Sequence, residues 1–152
     1  MSDDRQATHV FISYVNEDRK EVDRLCDDLT RQGVKVWLDR RDIEPGMRWR
    51  DAIREAIQQG DFFIACFSKA YSSRRMNQEL NTHMNEELTL AIGLIRQRQR
   101  AQTWFIPVLL SGEVPDWDIG AGENLRDFQW IDLRQDWDAG IQRIVDVVQA
   151  NS

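Results

Sequence analysis

The chain has 152 residues, of which 41% are hydrophobic and 30% charged, a composition typical of a folded globular protein rather than a disordered one. Its 20 Lys and Arg residues against 26 Asp and Glu residues give a net charge of −6, which argues against a nucleic-acid-binding domain. Apolar runs are far shorter than the roughly 18 residues of a membrane span, and the N-terminus lacks the apolar run of a secretory signal. With two cysteines in apolar stretches, we expect a cytoplasmic protein that contacts neither nucleic acid nor membrane.

The first half of the sequence alternates between short apolar runs and amphipathic segments. A strand is predicted at 9–14, and a helix at 17–32 follows, with apolar residues at helical spacing. Asn16 is predicted to cap this helix and Gly33 to end it. Further along, the pattern predicts a strand at 34–39, a Pro-Gly loop at 40–46, a helix at 47–59 and a fully apolar strand at 62–68.

The second half continues the alternation. The pattern predicts a segment at 71–100 that is polar at first and helical in its second half, a strand at 104–110, a loop at 111–126, a strand at 128–133 and a helix at 138–149. Repeated strand–helix alternation is typical of parallel sheets with right-handed crossovers. We therefore predict an α/β, flavodoxin-like three-layer sandwich with a central five-stranded parallel sheet.

This topology predicts where a ligand would bind. In open parallel sheets, ligands bind beyond the carboxyl ends of the strands, at the point where strand order reverses. In the flavodoxin-like order that point lies between the first and third strands. Tyr14 and Val15 follow the first strand, Ser68 ends the third, and the loop at 40–46 can close over the same edge.

Other classes of site have less support in the sequence. The Gly120–Gly122 segment has two of the three glycines of a dinucleotide fingerprint, and no clear strand precedes it. A response regulator would need a phosphoacceptor Asp at the end of the third strand, where Ser68 stands. His83 and Glu87 are four residues apart on one helical face, but they supply two metal ligands at best, so we expect no metal site.

Several motifs follow one another in a specific order. Phe11-Ile12-Ser13-Tyr14 opens the pattern, Val36–Asp39 follows the first helix, a Pro-Gly loop comes next, and Phe105–Leu109 forms the fourth strand. Together they resemble a Toll/interleukin-1 receptor (TIR) domain of the bacterial type, from about residue 9 to residue 149. The residues similar to the BB loop of that family are Asp42, Ile43, Glu44, Pro45 and Gly46. The resemblance implies a single TIR domain over 1–152, either complete or part of a longer chain with a sensor domain.

The resemblance implies two functions. Some TIR domains are scaffolds that bind only other TIR domains, whereas others cleave NAD+ at the nicotinamide–ribose bond. We expect an NAD+ glycohydrolase or cyclase, with NAD+ as substrate and no cofactor, active in bacterial antiphage defence and activated by self-assembly with other TIR domains. The alternatives are a non-enzymatic TIR interaction module and a related enzyme acting on the glycosidic bonds of nucleosides.

In NAD+-cleaving members, one Glu on the helix after the third strand is essential and typically sits in a Trp-x-x-x-Glu-Leu-x-x-Ala setting. Here Glu87-Leu88 and Ala91 fit the second half of that motif, and His83 stands at the Trp position. The resemblance therefore implies that Glu87 is the catalytic carboxylate. Its rivals, in order, are Glu86 and Glu79.

A single carboxylate suits this chemistry. Nicotinamide leaves a cationic glycoside as a neutral ring, so no general acid is needed, and a carboxylate can stabilise the oxocarbenium-like ribose. The substrate-binding residues implied around it are Tyr14 and Trp49 as walls or stacking partners, Ser68 and Arg40 for ribose or phosphate, and His83 beside the ring.

Overall fold

The structure is a computed structural model that describes residues 9–38, 46, 48, 51, 62–76, 88–93, 105–120 and 122–150. Its strands are β1 (His9–Ser13), β2 (Lys35–Leu38), β3 (Phe62–Phe67), β4 (Phe105–Leu109), β5 (Asp118–Gly120), β6 (Glu123–Asn124) and β7 (Ile131–Asp132). Its helices are α1 (Arg19–Arg31), α2 (Lys69–Met76), α3 (88–93) and α4 (Trp137–Ala150), with 3-10 turns at Asn16–Asp18 and Leu125–Asp127.

The central sheet has the predicted topology. Its five strands are parallel and lie in the order β2-β1-β3-β4-β7. The chain moves outward from β1 to β2 and then crosses back to place β3 on the other side of β1. Strand order therefore reverses between β1 and β3, which confirms the flavodoxin-like fold and puts the switch point where the sequence predicts it.

Helices cover both faces of this sheet, which confirms the three-layer arrangement. Residues of β3 alternate between two buried clusters, because successive strand side chains point to opposite faces. On one face Ile64 packs with residues of α1 and α4, which we call the α1–α4 layer. On the other face Phe63 and Phe67 pack with Tyr71 of α2 and Leu88 of α3, which we call the α2–α3 layer.

A row of stacked aromatic rings crosses the three inner strands. Phe11 of β1 pairs in register with Phe63 of β3, and Phe63 pairs with Phe105 of β4. Their ring centroids lie 5.2 and 5.7 Å apart, within the range in which aromatic pairs attract. A shift of strand register by one residue would turn each ring to the opposite face of the sheet. The row of rings therefore fixes the register of these strands, and with it the positions of their carboxyl ends.

The ends of α1 agree with the prediction at one terminus only. Gly33 has φ +88°, and the Val34 N–H donates to the Leu29 carbonyl at 3.0 Å, which is the expected glycine-terminated helix end. The predicted cap at Asn16 is wrong. Asn16 begins a 3-10 turn, α1 starts at Arg19, and no side-chain hydrogen bond caps either element.

The segment after β4 differs from the prediction of a loop at 111–126 and a strand at 128–133. Within the predicted loop, β5 and β6 form an antiparallel hairpin. The side chains of Asn124 and Asp127 then accept backbone hydrogen bonds from a 3-10 turn, forming a capping box. This turn runs to Phe128, whose ring packs edge-on against Phe105 at 5.5 Å. The fifth strand of the sheet is therefore only Ile131–Asp132.

Two helix predictions fall partly outside the described residues. Of the predicted helix at 47–59, the structure describes only Arg48 and Asp51, and Asp51 is helical and exposed. In the predicted segment at 71–100, helix formation already begins at Lys69, and α3 has the expected buried positions at Leu88, Ala91 and Ile92. None of the described helices is long and apolar enough to cross a membrane.

Candidate functional site

The carboxyl ends of β1 and β3 lie side by side at the switch point, which we call the carboxyl edge. Ser13 pairs with Ala65, so Tyr14 and Val15 leave β1 beside the last residues of β3. Tyr14 is half-buried and packs against the α1–α4 layer, whereas Val15 is buried in the α2–α3 layer. The structure thus puts Tyr14 and Ser68 at the same edge, on adjacent strands.

Ser68 caps α2 at this edge. Its Oγ accepts a hydrogen bond from the Tyr71 N–H at 3.1 Å, and its carbonyl accepts from the Ser72 N–H at 3.1 Å. The hydroxyl hydrogen is donated to the carboxylate of Asp18. Because Ser68 is only 1% exposed and already makes these bonds, its predicted contact with ribose or phosphate would require rearrangement and stays a prediction.

Asp18 is the residue at this edge that the sequence analysis missed. It is 8% exposed and directly precedes α1, where an aspartate commonly caps its own helix. Here the side chain makes no capping bond to α1 and accepts the Ser68 hydroxyl instead. The sequence signal that could have identified Asp18 is its position shortly after the first strand. Ligands bind beyond the carboxyl ends of parallel strands, and this applies to the start of the following helix as well as to Tyr14 and Val15.

The environment of Asp18 disfavours its ionised form. Burial raises the pKa of this carboxyl, and the nearby Glu21 and Glu17 raise the pKa further, while the Ser68 hydrogen bond lowers it. The net direction is upward. No cation in the part of the chain that the structure describes forms a salt bridge with Asp18.

A second polar cluster fixes the loop after β4. The Ser111 Oγ accepts from the Lys69 N–H at 2.9 Å, which ties this loop to the start of α2. Gly112 has φ +71°, and a Cβ there would lie 3.2 Å from the Lys69 backbone nitrogen, so glycine is required. Arg134 donates to the Gly112 carbonyl at 2.9 Å and to both carboxylate oxygens of Asp132, which lowers the pKa of Asp132.

Most predicted site residues lie outside the described part of the chain, and their roles stay predictions. Gly46 is described: it is exposed and has φ +89°, a conformation that favours glycine and suits the turn expected of a Pro-Gly loop. The residues outside are Arg40, Asp42, Ile43, Glu44, Pro45, Trp49, Glu79, His83, Glu86 and Glu87.

The residues that follow Glu87 in the sequence are well anchored. Leu88 and Ala91 of α3 are both 0% exposed and belong to the cluster that contains Phe67 and Tyr71. Phe67 is the last residue of β3, so α3 packs beneath the strand that ends at the switch point. The two apolar positions of the Glu-Leu-x-x-Ala pattern are therefore core positions.

The family follows from a match over most of the sequence. The family model described as "TIR domain" matches residues 10–145. The chain belongs to the TIR domain family. This TIR domain is similar in structure to the TIR domain of the Toll-related receptor TRR-2 from Hydra magnipapillata, with 25% sequence identity and a TM-score of 0.60. That match covers 91% of this chain and 96% of the Hydra chain.

A second solved structure shares the fold. The TIR domain resembles a prokaryotic SEFIR domain with 23% identity and a TM-score of 0.54, over 93% of this chain and 92% of that one. At this identity the likeness bears on fold alone. No curated protein sequence matches the chain.

Proposed function

We propose that this TIR domain is an NAD+ glycohydrolase that releases nicotinamide, forms ADP-ribose or its cyclic form, and uses Glu87 as its essential carboxylate. The observation that supports this best is the packing of α3. Leu88 and Ala91, the apolar positions after the glutamate in the family motif, are fully buried against the strand that ends at the switch point. The two apolar positions of the motif are thus buried as the resemblance to the family implies, which supports the choice of Glu87 over its rivals.

The reaction requires little general acid–base catalysis. The bond between ribose C1′ and the nicotinamide nitrogen breaks, and its electron pair stays on the nitrogen, so neutral nicotinamide departs. Water then adds to C1′ and loses a proton to solvent, giving ADP-ribose; in a cyclase, a nucleophile within the substrate adds instead. A carboxylate beside the ribose stabilises the cationic sugar between these steps.

Activity in an assembled state is part of the proposal. Gly46 of the Pro-Gly loop is exposed, and a Cβ at this position would have no neighbour within 4 Å among the described residues. An exposed glycine at this position is available to a second copy, as the BB loop is in family members whose pocket is completed by a neighbour. The biological setting we propose is bacterial antiphage defence, with a sensor supplying the trigger.

A non-enzymatic interaction module is the second candidate. The observation that favours it is the 25% identity to the TIR domain of a Toll-related receptor over 91% of this chain. In that case self-association would persist, but the domain would have no use for a carboxylate at the carboxyl edge. Replacing Glu87 therefore separates the two candidates, because only the enzyme would lose activity.

The test measures nicotinamide release from NAD+ by concentrated protein with a crowding agent, while light scattering follows assembly. We expect Glu87→Gln to lower the rate by about 100-fold or more, because transition-state charge stabilisation is of that size. The matched control is Glu86→Gln, one residue away, which should retain activity. Nucleosides replace NAD+ in a parallel reaction to detect a nucleoside-acting enzyme.

Two results would contradict the proposal. Activity that survives Glu87→Gln but is lost in Glu86→Gln or Glu79→Gln would reassign the carboxylate. Wild-type protein that assembles without consuming NAD+ would rule out the hydrolase and favour the interaction module.

A further inference from the structure

One buried hydrogen bond joins helices that cover opposite faces of the sheet. Asp18 stands at the start of α1, and α1 packs in the α1–α4 layer. Ser68 caps α2, and Tyr71 of α2 packs in the α2–α3 layer. The Ser68 hydroxyl donates to the Asp18 carboxylate across the carboxyl edge. This bond therefore links the two layers at the switch point, where strands β1 and β3 end side by side.

This arrangement carries an energetic cost. Both side chains are buried, at 8% and 1% exposure, and Asp18 leaves the first N–H groups of α1 without a side-chain cap. Burying a carboxylate is unfavourable where no cation pairs with it, and none of the described residues supplies one to Asp18, while Glu17 and Glu21 disfavour its charge further. A costly buried acid at a ligand-binding edge is more typical of a functional site than of a group selected for stability.

Two hydrogen bonds, a ring contact and a shared buried cluster connect Asp18 with α3. Asp18 accepts from Ser68, whose Oγ accepts from the Tyr71 N–H at 3.1 Å. The Tyr71 ring is 1% exposed and meets Phe67 edge-on, with centroids 5.3 Å apart. Leu88 of α3 belongs to the same buried cluster as Tyr71. Hydrogen bonds and close-packed rings of this kind transmit a displacement, because packed interiors deform little.

We propose that Asp18 is a positioning residue whose bond to Ser68 holds α2, and through Tyr71 also α3, at a fixed place relative to the carboxyl edge. The catalytic consequence rests on the proposed function, since Glu87 directly precedes Leu88 of α3 in the sequence. The mechanical part does not: the coupling between Asp18 and α3 can be measured without NAD+.

Asp28 provides a matched control. It is an aspartate within α1 with a partly buried carboxylate, and it accepts a hydrogen bond from Trp137 Nε1 at 2.6 Å. That bond joins α1 to α4 within a single layer, on the face away from α3. Removing it should destabilise the domain without affecting α3 selectively.

The experiment follows backbone amide hydrogen exchange of α3 in the full chain under conditions where the native state dominates. Asp18→Ala should speed exchange at residues 88–93 roughly tenfold relative to wild type, because it removes a buried hydrogen bond. Asp18→Asn should restore slow exchange, because its amide oxygen can accept the Ser68 hydroxyl. Asp28→Ala should leave the exchange of α3 close to that of wild type.

Two exchange results would overturn the proposal: unchanged exchange at 88–93 in folded Asp18→Ala, or equal acceleration in Asp28→Ala, which would mean general destabilisation. Should Asp18→Ala fail to fold, Asp18→Leu removes the same acceptor with a side chain of similar size, leaves the Ser68 cap of α2 in place and is read in the same way. In assembled protein that consumes NAD+, we expect Asp18→Ala to lower kcat with little change in KM, and Asp18→Asn to recover it. Altered exchange with normal kcat would refute the catalytic consequence, whereas inactive wild type would refute only the proposed function.

Discussion

Trp137 Nε1–H donates a hydrogen bond to Asp28 Oδ2 at 2.6 Å, which joins the last helix of the domain to the first. The guanidinium carbon of Arg24 lies 4.1 Å from the centroid of the same indole, so one tryptophan receives two polar contacts from α1. Asp28 also accepts a hydrogen bond from Arg31 one turn further along α1. These contacts fasten α1 and α4 at the rim of the α1–α4 layer.

Trp137→Phe should destabilise the domain. The phenyl ring keeps part of the packing but cannot donate to Asp28 and attracts the Arg24 cation more weakly. We expect a loss of about 1–2 kcal/mol in the free energy of unfolding, measured with urea. Trp130→Phe is the control: Trp130 is 38% exposed, so its replacement should change stability by about 0.5 kcal/mol or less. Equal losses in the two variants would mean that the contacts to α1 contribute nothing.

The raised pKa of Asp18 predicts an unusual pH dependence of stability. Folding favours the protonated acid, so its stabilising contribution is complete below the unfolded value near 3.8 and is lost as pH rises through the higher folded pKa. Among the described residues, the charged or titratable groups that act on it are Glu17, Glu21 and the Cys66 thiol. Asp18→Asn is neutral at every pH, so its stability relative to wild type should increase as pH rises above about 4.

The contribution of Asp132 to stability should change with pH in the opposite direction, so this residue serves as the control for that experiment. Hydrogen bonds from Arg134 lower the pKa of Asp132, so its contribution is present above the unfolded value and is lost as pH falls through the folded pKa. Asp132→Asn should therefore lose stability relative to wild type as pH rises from about 2 to about 4, and the difference should be nearly constant above that range. Urea unfolding of both variants tests the pair, and slopes of the same sign would contradict the assignment for Asp18.

The layer arrangement was predictable because its signal is local and periodic. Residues at helical spacing in α1 and the apolar run of β3 are the positions that fill the two clusters. The bond between Asp18 and Ser68 has no such signal. It joins two polar residues 50 positions apart, and an acidic residue at the start of a helix has the same pattern whether it caps that helix or reaches across the sheet.

The fifth strand shows how local hydrogen bonds override an apolar pattern. The run from Phe128 to Leu133 is typical of a strand, yet Phe128 closes a 3-10 turn whose capping box involves Asn124 and Asp127. In the candidate site, strand order predicted the edge itself, and Tyr14 and Ser68 lie there. The glutamate assignments came from resemblance to the family, because periodicity cannot distinguish a catalytic Glu from a solvated one.

The two thiols should differ sharply in reactivity. Cys66 of β3 is fully buried, and this burial raises the pKa of its thiol well above the usual value. Cys26 of α1 is half-buried, and neither residue forms a disulfide. A thiol reagent at mildly alkaline pH should modify Cys26 rapidly and Cys66 only when the domain opens, as peptide mass analysis would reveal. In Cys26→Ser the rapid phase should vanish, and its persistence would contradict the burial of Cys66.

Two helical glycines should respond oppositely to alanine. Gly140 of α4 is buried against the chain that leaves β7, and a Cβ there would lie 2.3 Å from Leu133 Cδ2. Leu133 is itself only 4% exposed, so it has little room to withdraw. Gly140→Ala should therefore cost about 1–3 kcal/mol of unfolding free energy through overpacking. Gly93 of α3 is exposed with no neighbour within 4 Å of a Cβ, and Gly93→Ala should gain about 0.5–1 kcal/mol from helix propensity.

A double-mutant cycle isolates the clash at Gly140. Leu133→Ala removes the atom that the new methyl group meets, at the cost of a cavity. Gly140→Ala made in that background should therefore be much less destabilising than in wild type, and the difference measures the coupling between the two positions. If Gly140→Ala is equally costly in both backgrounds, Leu133 is not the source of the penalty, because the next neighbours of the new methyl group, the Asp132 carbonyl oxygen and Ile131 Cγ2, would lie at ordinary contact distances of 3.4 and 3.5 Å.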